Sequence, residues 1–178
     1  LVMTLAWTTT QTYGFQANYV EVLVLGAPPI PDEYQYDDGS TENGLGWSAG
    51  GPTALMHSFD SGSGDTIDTV DIAWGYNGGT TGPYAGDACD YYVWDDPNND
   101  GDISDAVLLY TGSTTVVSPH TDTVVSLATG GVAVTGGFFV GYVVQAVSGD
   151  FPGGMDQNVS YVTNMAWFCG ASGWDPTA

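Results

Sequence analysis

No lysine and no arginine occur anywhere in this chain of 178 residues. A soluble sequence of this length ordinarily carries roughly twenty of them. Polyanion recognition rests on those side chains, so nucleic acids are excluded as partners, and acidic lipid surfaces are disfavoured. Against 21 acidic residues and a formal net charge of -21, no carboxylate has a Lys or Arg to pair with. The compact state therefore repels itself, and compensation must come from water, hydrogen bonds or bound cations. Other shortages narrow the choice. No apolar run reaches the length of a membrane span, so no membrane insertion is expected. Glu occurs only at Glu21, Glu33 and Glu42, and with Lys and Arg missing too, strong helix formers are scarce. Histidine is confined to His57 and His120, too few for a histidine-rich metal centre; both are read as structural. The start lacks the charged segment of a signal peptide, and Leu1 is no initiator Met, so the chain reads as processed or as a fragment.

What is present is β-forming. Hydrophobic residues make up 43% and aromatic residues 13% of the chain, with 26 glycines. That balance excludes a disordered acidic tail and suits an all-β protein rich in Val, Thr, Tyr, Trp and Phe. Residues 1–26 read as an extended segment. Tyr13, Phe15, Tyr19, Leu23 and Leu25 share one side, and Val20, Val22 and Val24 the other. Its end is apolar on both faces, as in a strand buried on both sides. At about 3.3 Å per residue, 12–25 would span roughly 45 Å, longer than an ordinary strand. Pro28, Pro29 and Pro31 then make 27–32 a stiff linker. Residues 33–178 read as short strands separated by turns: 45–48, 53–59, 66–74 with a bulge, 90–94, 106–110, 123–127, 132–134, 138–147 and 161–168. Asn77-Gly78-Gly79 and Gly130-Gly131 are among the turns. The expected fold class is all-β, a two-sheet jelly-roll-like sandwich with an extended N-terminal strand arm.

The strongest chemical motif is Asp96-Pro97-Asn98-Asn99-Asp100-Gly101-Asp102-Ile103-Ser104-Asp105. It resembles the calcium loop of EF-hand and dockerin sequences. Asp96, Asn98 and Asp100 stand at positions one, three and five, Gly101 makes the turn at six, and the Asp102 carbonyl takes seven. Ser104 and Asp105 complete the candidate metal residues. Val107 replaces the acid of position twelve, a charge that Asp105 or Asp95 could supply. A plain polar turn is the competing reading. The acidic run 37–43 is read as a solvated loop.

Three further stretches are similar, in order, to a β-sandwich module of secreted bacterial surface proteins. They are Tyr36-Asp37-Asp38-Gly39 with Glu42-Asn43, then Tyr92-Val93-Trp94-Asp95-Asp96, then Gly136-Gly137-Phe138-Phe139-Val140-Gly141. The resemblance covers 36–145 and implies no general catalytic activity.

Catalytic signals are weak. Gly46-Trp47-Ser48-Ala49-Gly50 fits the GxSxG pattern, which works only between a strand and a helix, and Gly51-Pro52 cannot open a long helix. No enzyme is expected. Cys89 and Cys169 suit a disulfide in an oxidising setting; two buried free thiols are the alternative. Asn158-Val159-Ser160 is a glycosylation sequon. Trp74 and Trp167 read as core, whereas Trp47, Trp94 and Trp174 lie beside turns where a sugar could stack.

These features lead to one functional expectation: a calcium-stabilised structural subunit of an extracellular filament or surface assembly. Tyr13, Phe15, Tyr19, Val20, Val22, Leu23, Val24 and Leu25 of one copy would complete a sheet of the next by strand addition. Such a contact is head-to-tail, and the partners are other copies of the chain. The alternative is a calcium-dependent carbohydrate-binding module of a larger secreted protein, with glycans as its partners.

Overall fold

The computed structural model describes residues 33–36, 38–46 and 48–157, and the backbone alone of 166–170. These residues belong to the unit Glu33–Ala178. The expected arm 1–26, the linker 27–32 and the sequon at Asn158 lie outside the described residues.

The chain is all-β. In chain order the strands are β1 (Asn43–Leu45), β2 (Gly51–Asp60), β3 (Asp65–Ile72), β4 (Ala88–Asp96), β5 (Val107–Thr115), β6 (Val125–Val134), β7 (Gly137–Ala146), β8 (Gly153–Met155) and β9 (Ala166–Gly170). The one helical turn among the described residues is the 3-10 turn Ile103–Asp105. No helix there is long and apolar enough to cross a membrane. A five-stranded sheet runs β5-β4-β7-β2-β9, with β3-β6 and β1-β8 as two-stranded sheets. Every pairing is antiparallel. The sandwich sets the five-stranded sheet against β3-β6, and β1-β8 is a third, small sheet where two sheets were expected.

β7 occupies the middle of the large sheet because its sequence is apolar on both faces, as a strand covered on both sides must be. On one face Phe138, Tyr142 and Val144 join Cys89, Tyr91 and Val93 of β4, and Ile67, Val70, Ile72 and Val134 of β3 and β6 pack onto them. On the other face Phe139 meets Tyr92, Trp94, Ala54 and Met56, closed by Ile103 of the 3-10 turn. Tyr92 and Trp94 stack with ring centroids 5.0 Å apart. Each large side chain so buried contributes about 1.5–3 kcal/mol. Polar atoms inside find partners: the Tyr142 hydroxyl donates to the Pro152 carbonyl at 2.9 Å, and Trp74 Nε1 donates to Cys89 Sγ at 3.4 Å. Burial holds the Tyr142 phenol far above its ordinary range.

Three expectations need correction. Gly130-Gly131 does not separate two strands but lies inside β6, where the register against β3 slips between Ile67 and Thr69. Thr129 Oγ1 donates to the Ile67 carbonyl there and holds the slip in place. β8 is a three-residue strand, Gly153–Met155, that the strand pattern of the sequence did not include. The disulfide is the third: Cys89 is a buried free thiol. Cys89 pairs with Val144 on β7, Val144 with Thr53 on β2, and the partner of Cys169 is the next residue, Ala54. Three strand spacings of about 4.8 Å separate the two backbones, roughly twice the reach of a disulfide.

Candidate metal site

β4 is the last turn-free stretch before an acidic connection to β5, and the site is built on that hairpin. Asp96 ends β4 opposite Gly137 of β7. That pairing leaves Asp96 only 4% exposed. Gly137 leaves room for the loop: a Cβ there would stand 2.5 Å from Asn99 Oδ1 and 2.8 Å from Asp96 Oδ2, so those side chains would have to shift. The chain then reverses through Asn99 and Gly101, at φ of 55° and 72°, the left-handed region that Asn tolerates and Gly prefers.

A succession of short side chains bonds the backbone two residues ahead. Asn98 Oδ1 accepts from the Asp100 N–H at 3.1 Å, Asp100 Oδ1 from Asp102 at 2.7 Å, and Asp102 Oδ1 from Ser104 at 2.9 Å. Across the loop, Asp96 Oδ2 accepts from the Gly101 N–H at 2.8 Å. The N–H and hydroxyl of Ser104 hold the Asp102 carboxyl below its usual range. Ile103 anchors the end of the loop in the apolar face of the sheet.

The fold gathers three of the six candidate metal residues: one carboxylate oxygen each of Asp96, Asp100 and Asp105 lie within 4.8 Å of one another. Of the two acids that the sequence left open, Asp105 is the one that lies in this group. Asn98 lies at the rim, its amide 3.1 Å from Asp100 Oδ2. Asp102 and Ser104 are engaged with each other as the cap of the 3-10 turn.

One atom sets this loop apart from a polar turn. Asp96 Oδ1 is buried and has no hydrogen-bond partner. A buried carboxylate oxygen without a donor costs free energy. Two more carboxylates beside it add repulsion, and the chain offers no Lys or Arg to offset it. A cation bound among the three would remove both penalties. Carboxylate oxygens suit a hard divalent ion, calcium or magnesium, over zinc or copper.

A second acidic group joins Asp38 and Glu42 to Asp156, and the sequence pattern did not reveal it. Asp156 reaches the run 37–43 because Asn43 pairs with Met155 in the β1-β8 sheet. The Asp38 N–H donates to Asp156 Oδ2 at 2.9 Å, and the Gln157 N–H donates to Glu42 Oε2 at 2.8 Å. Hydrogen bonds account for these carboxylates.

The other candidates separate from the site. Ser48 lies in an exposed turn between β1 and the strand β2, so the helix that GxSxG chemistry requires does not follow it. Trp94, expected beside a turn and open to a sugar, is 1% exposed, as is Trp74; the sheet covers both. His57 stacks with Tyr36 and Phe59, and His120 packs edge-on to Tyr76. Neither histidine belongs to the acidic groups.

No family model, no curated protein and no solved structure matches this chain.

Proposed function

We propose that this chain is a calcium-stabilised structural module of an extracellular assembly, whose copies join head-to-tail by strand addition. The observation that carries the calcium part is Asp96 Oδ1, buried without a partner beside Asp100 and Asp105. Asp96, Asp100 and Asp105 would hold the ion, with the Asp102 carbonyl and water filling remaining positions of a six- to eight-coordinate shell. The ion would offset the loop's charge and fasten the β4-β5 hairpin.

Two features support assembly. The chain has no Lys or Arg, which denies trypsin-like proteases a cleavage site and suits a material exposed outside the cell. Its segment 13–25 is apolar on alternating faces with Glu21 as its only acid, as a strand inserted between sheets requires. Electron microscopy and sedimentation of the native chain, with calcium and with chelator, test the reading. Calcium should give polymers, and removing residues 1–25 should leave folded monomers that a peptide of 12–25 does not link. Persistence of the same polymers after that deletion contradicts strand addition by this segment.

A further inference from the structure

We propose that the outer edge of β5, from Tyr110 to Thr115, is the surface that receives the added strand of a second copy. The inference rests on the assembly reading above and names its acceptor. The large sheet ends on β5, which pairs with β4 alone among the described residues. An edge strand presents unpaired N–H and C=O groups, and proteins blunt it with charge, proline, bulges or short length. β5 has nine residues, Val-Leu-Leu-Tyr-Thr-Gly-Ser-Thr-Thr, with no charge and no proline. Its one irregularity is Leu109, the extra residue where the register jumps between Val93 and Trp94; from Tyr110 to Thr115 the ladder is continuous. Val107 and Leu109 remain 50% and 41% exposed beside it.

Among the other edges of the described residues, β9 at the far side of the large sheet has only five residues. β3 carries Asp65, Asp68 and Asp71 and a register slip. On β6 the Ala128 carbonyl is occupied by the Tyr91 and Tyr110 hydroxyls at 2.8 and 3.2 Å. β1 and β8 have three residues each. Charge then selects the occupant's seat. A second copy brings a formal charge of -21, so an edge lined with Asp repels it. Asp90 of β4 stands opposite Ser113, and its carboxylate already accepts from Ser113 Oγ at 2.7 Å. The neutral, Thr-rich edge meets the nearly uncharged segment 13–25 with little repulsion. The calcium loop also ends at Asp105, just before β5 begins at Val107, so a bound ion would fix the start of the acceptor.

The test compares monomeric and assembled native chain by amide hydrogen exchange, and compares Thr111→Asp with Ser126→Asp, an equal charge change on an exposed position of β6. Assembly should slow exchange within 110–115. Thr111→Asp should lower the assembled fraction tenfold or more at an unchanged melting temperature, while Ser126→Asp should assemble like the native chain. Unchanged exchange in 110–115 with new protection elsewhere, or equal assembly of the two variants, overturns the β5 acceptor. If Thr111→Asp fails to fold, the exchange comparison alone decides. A native chain that stays monomeric refutes the assembly reading itself, whereas assembly through another edge refutes only this inference.

Discussion

Asp96→Asn separates a cation ligand from a structural carboxylate, because the two roles predict opposite signs. The amide is the same size and can still accept from the Gly101 N–H that Asp96 Oδ2 holds at 2.8 Å. What it removes is one charge from a group whose oxygens lie within 4.8 Å of each other. A pair of unit charges about 4 Å apart repels by about 1 kcal/mol in water and about 4 kcal/mol in a surrounding of dielectric constant 20. Asp100 and Asp105 are exposed, so the lower figure applies. Two such pairs amount to about 2 kcal/mol. In chelator, Asp96→Asn should therefore be more stable than the native chain by up to about 2 kcal/mol, roughly 4–8 °C in melting temperature. With calcium at a hundred times its dissociation constant, the native chain gains about 2.7 kcal/mol, and the variant gains little. The order of the two melting curves inverts between chelator and calcium. Thermal denaturation in both media reads this directly. If the variant is less stable by the same amount in both, Asp96 serves the loop as a hydrogen-bond acceptor and the cation reasoning is wrong.

Gly137→Ala should destabilise the fold by about 1–3 kcal/mol and weaken calcium binding, because its Cβ would press on Asn99 and Asp96; calorimetric titration and a melting curve check both effects. Phe139→Ala should cost about 3–5 kcal/mol, since Phe139 is fully buried at 0% exposure, as measured by denaturant unfolding. The Cys89 thiol is pushed up from 9.0 to about 11, chiefly by burial. A raised value means that this contribution is complete below pH 9 and is lost as pH rises through 11. Stability should then fall by about 3 kcal/mol over that window, and Cys89 should resist alkylation at pH 8 until the chain unfolds.

Local pattern made much of this fold legible. The alternation around Ile67, Val70 and Ile72 placed β3 and its bulge, and the apolar runs 90–94 and 138–147 marked β4 and β7 as strands. The acidic group of Asp96, Asp100 and Asp105 was legible because all three lie in one contiguous run around a turn glycine. What escaped depends on partners distant in sequence. The glycine pair in β6 looks like a turn until β3 absorbs it as a bulge. Asp156 looks unrelated to Glu42 until β1 pairs with β8. Gly137 gives no sign that it makes room for Asp96, and Trp94 seemed exposed because the turn beside it was visible and the covering residues were not. Cys89 and Cys169 each lie on a strand, but only the sheet order shows that two strands stand between them.

The most direct test of the central claim is a crystal structure of the chain grown with calcium, with anomalous scattering to identify the ion. Calcium bound by this loop should give a peak about 2.3–2.6 Å from Asp96 Oδ1 and from carboxylate oxygens of Asp100 and Asp105. The same crystals with a fully ordered loop, Asp96 Oδ1 bonded to water alone and no anomalous peak at saturating calcium would contradict it.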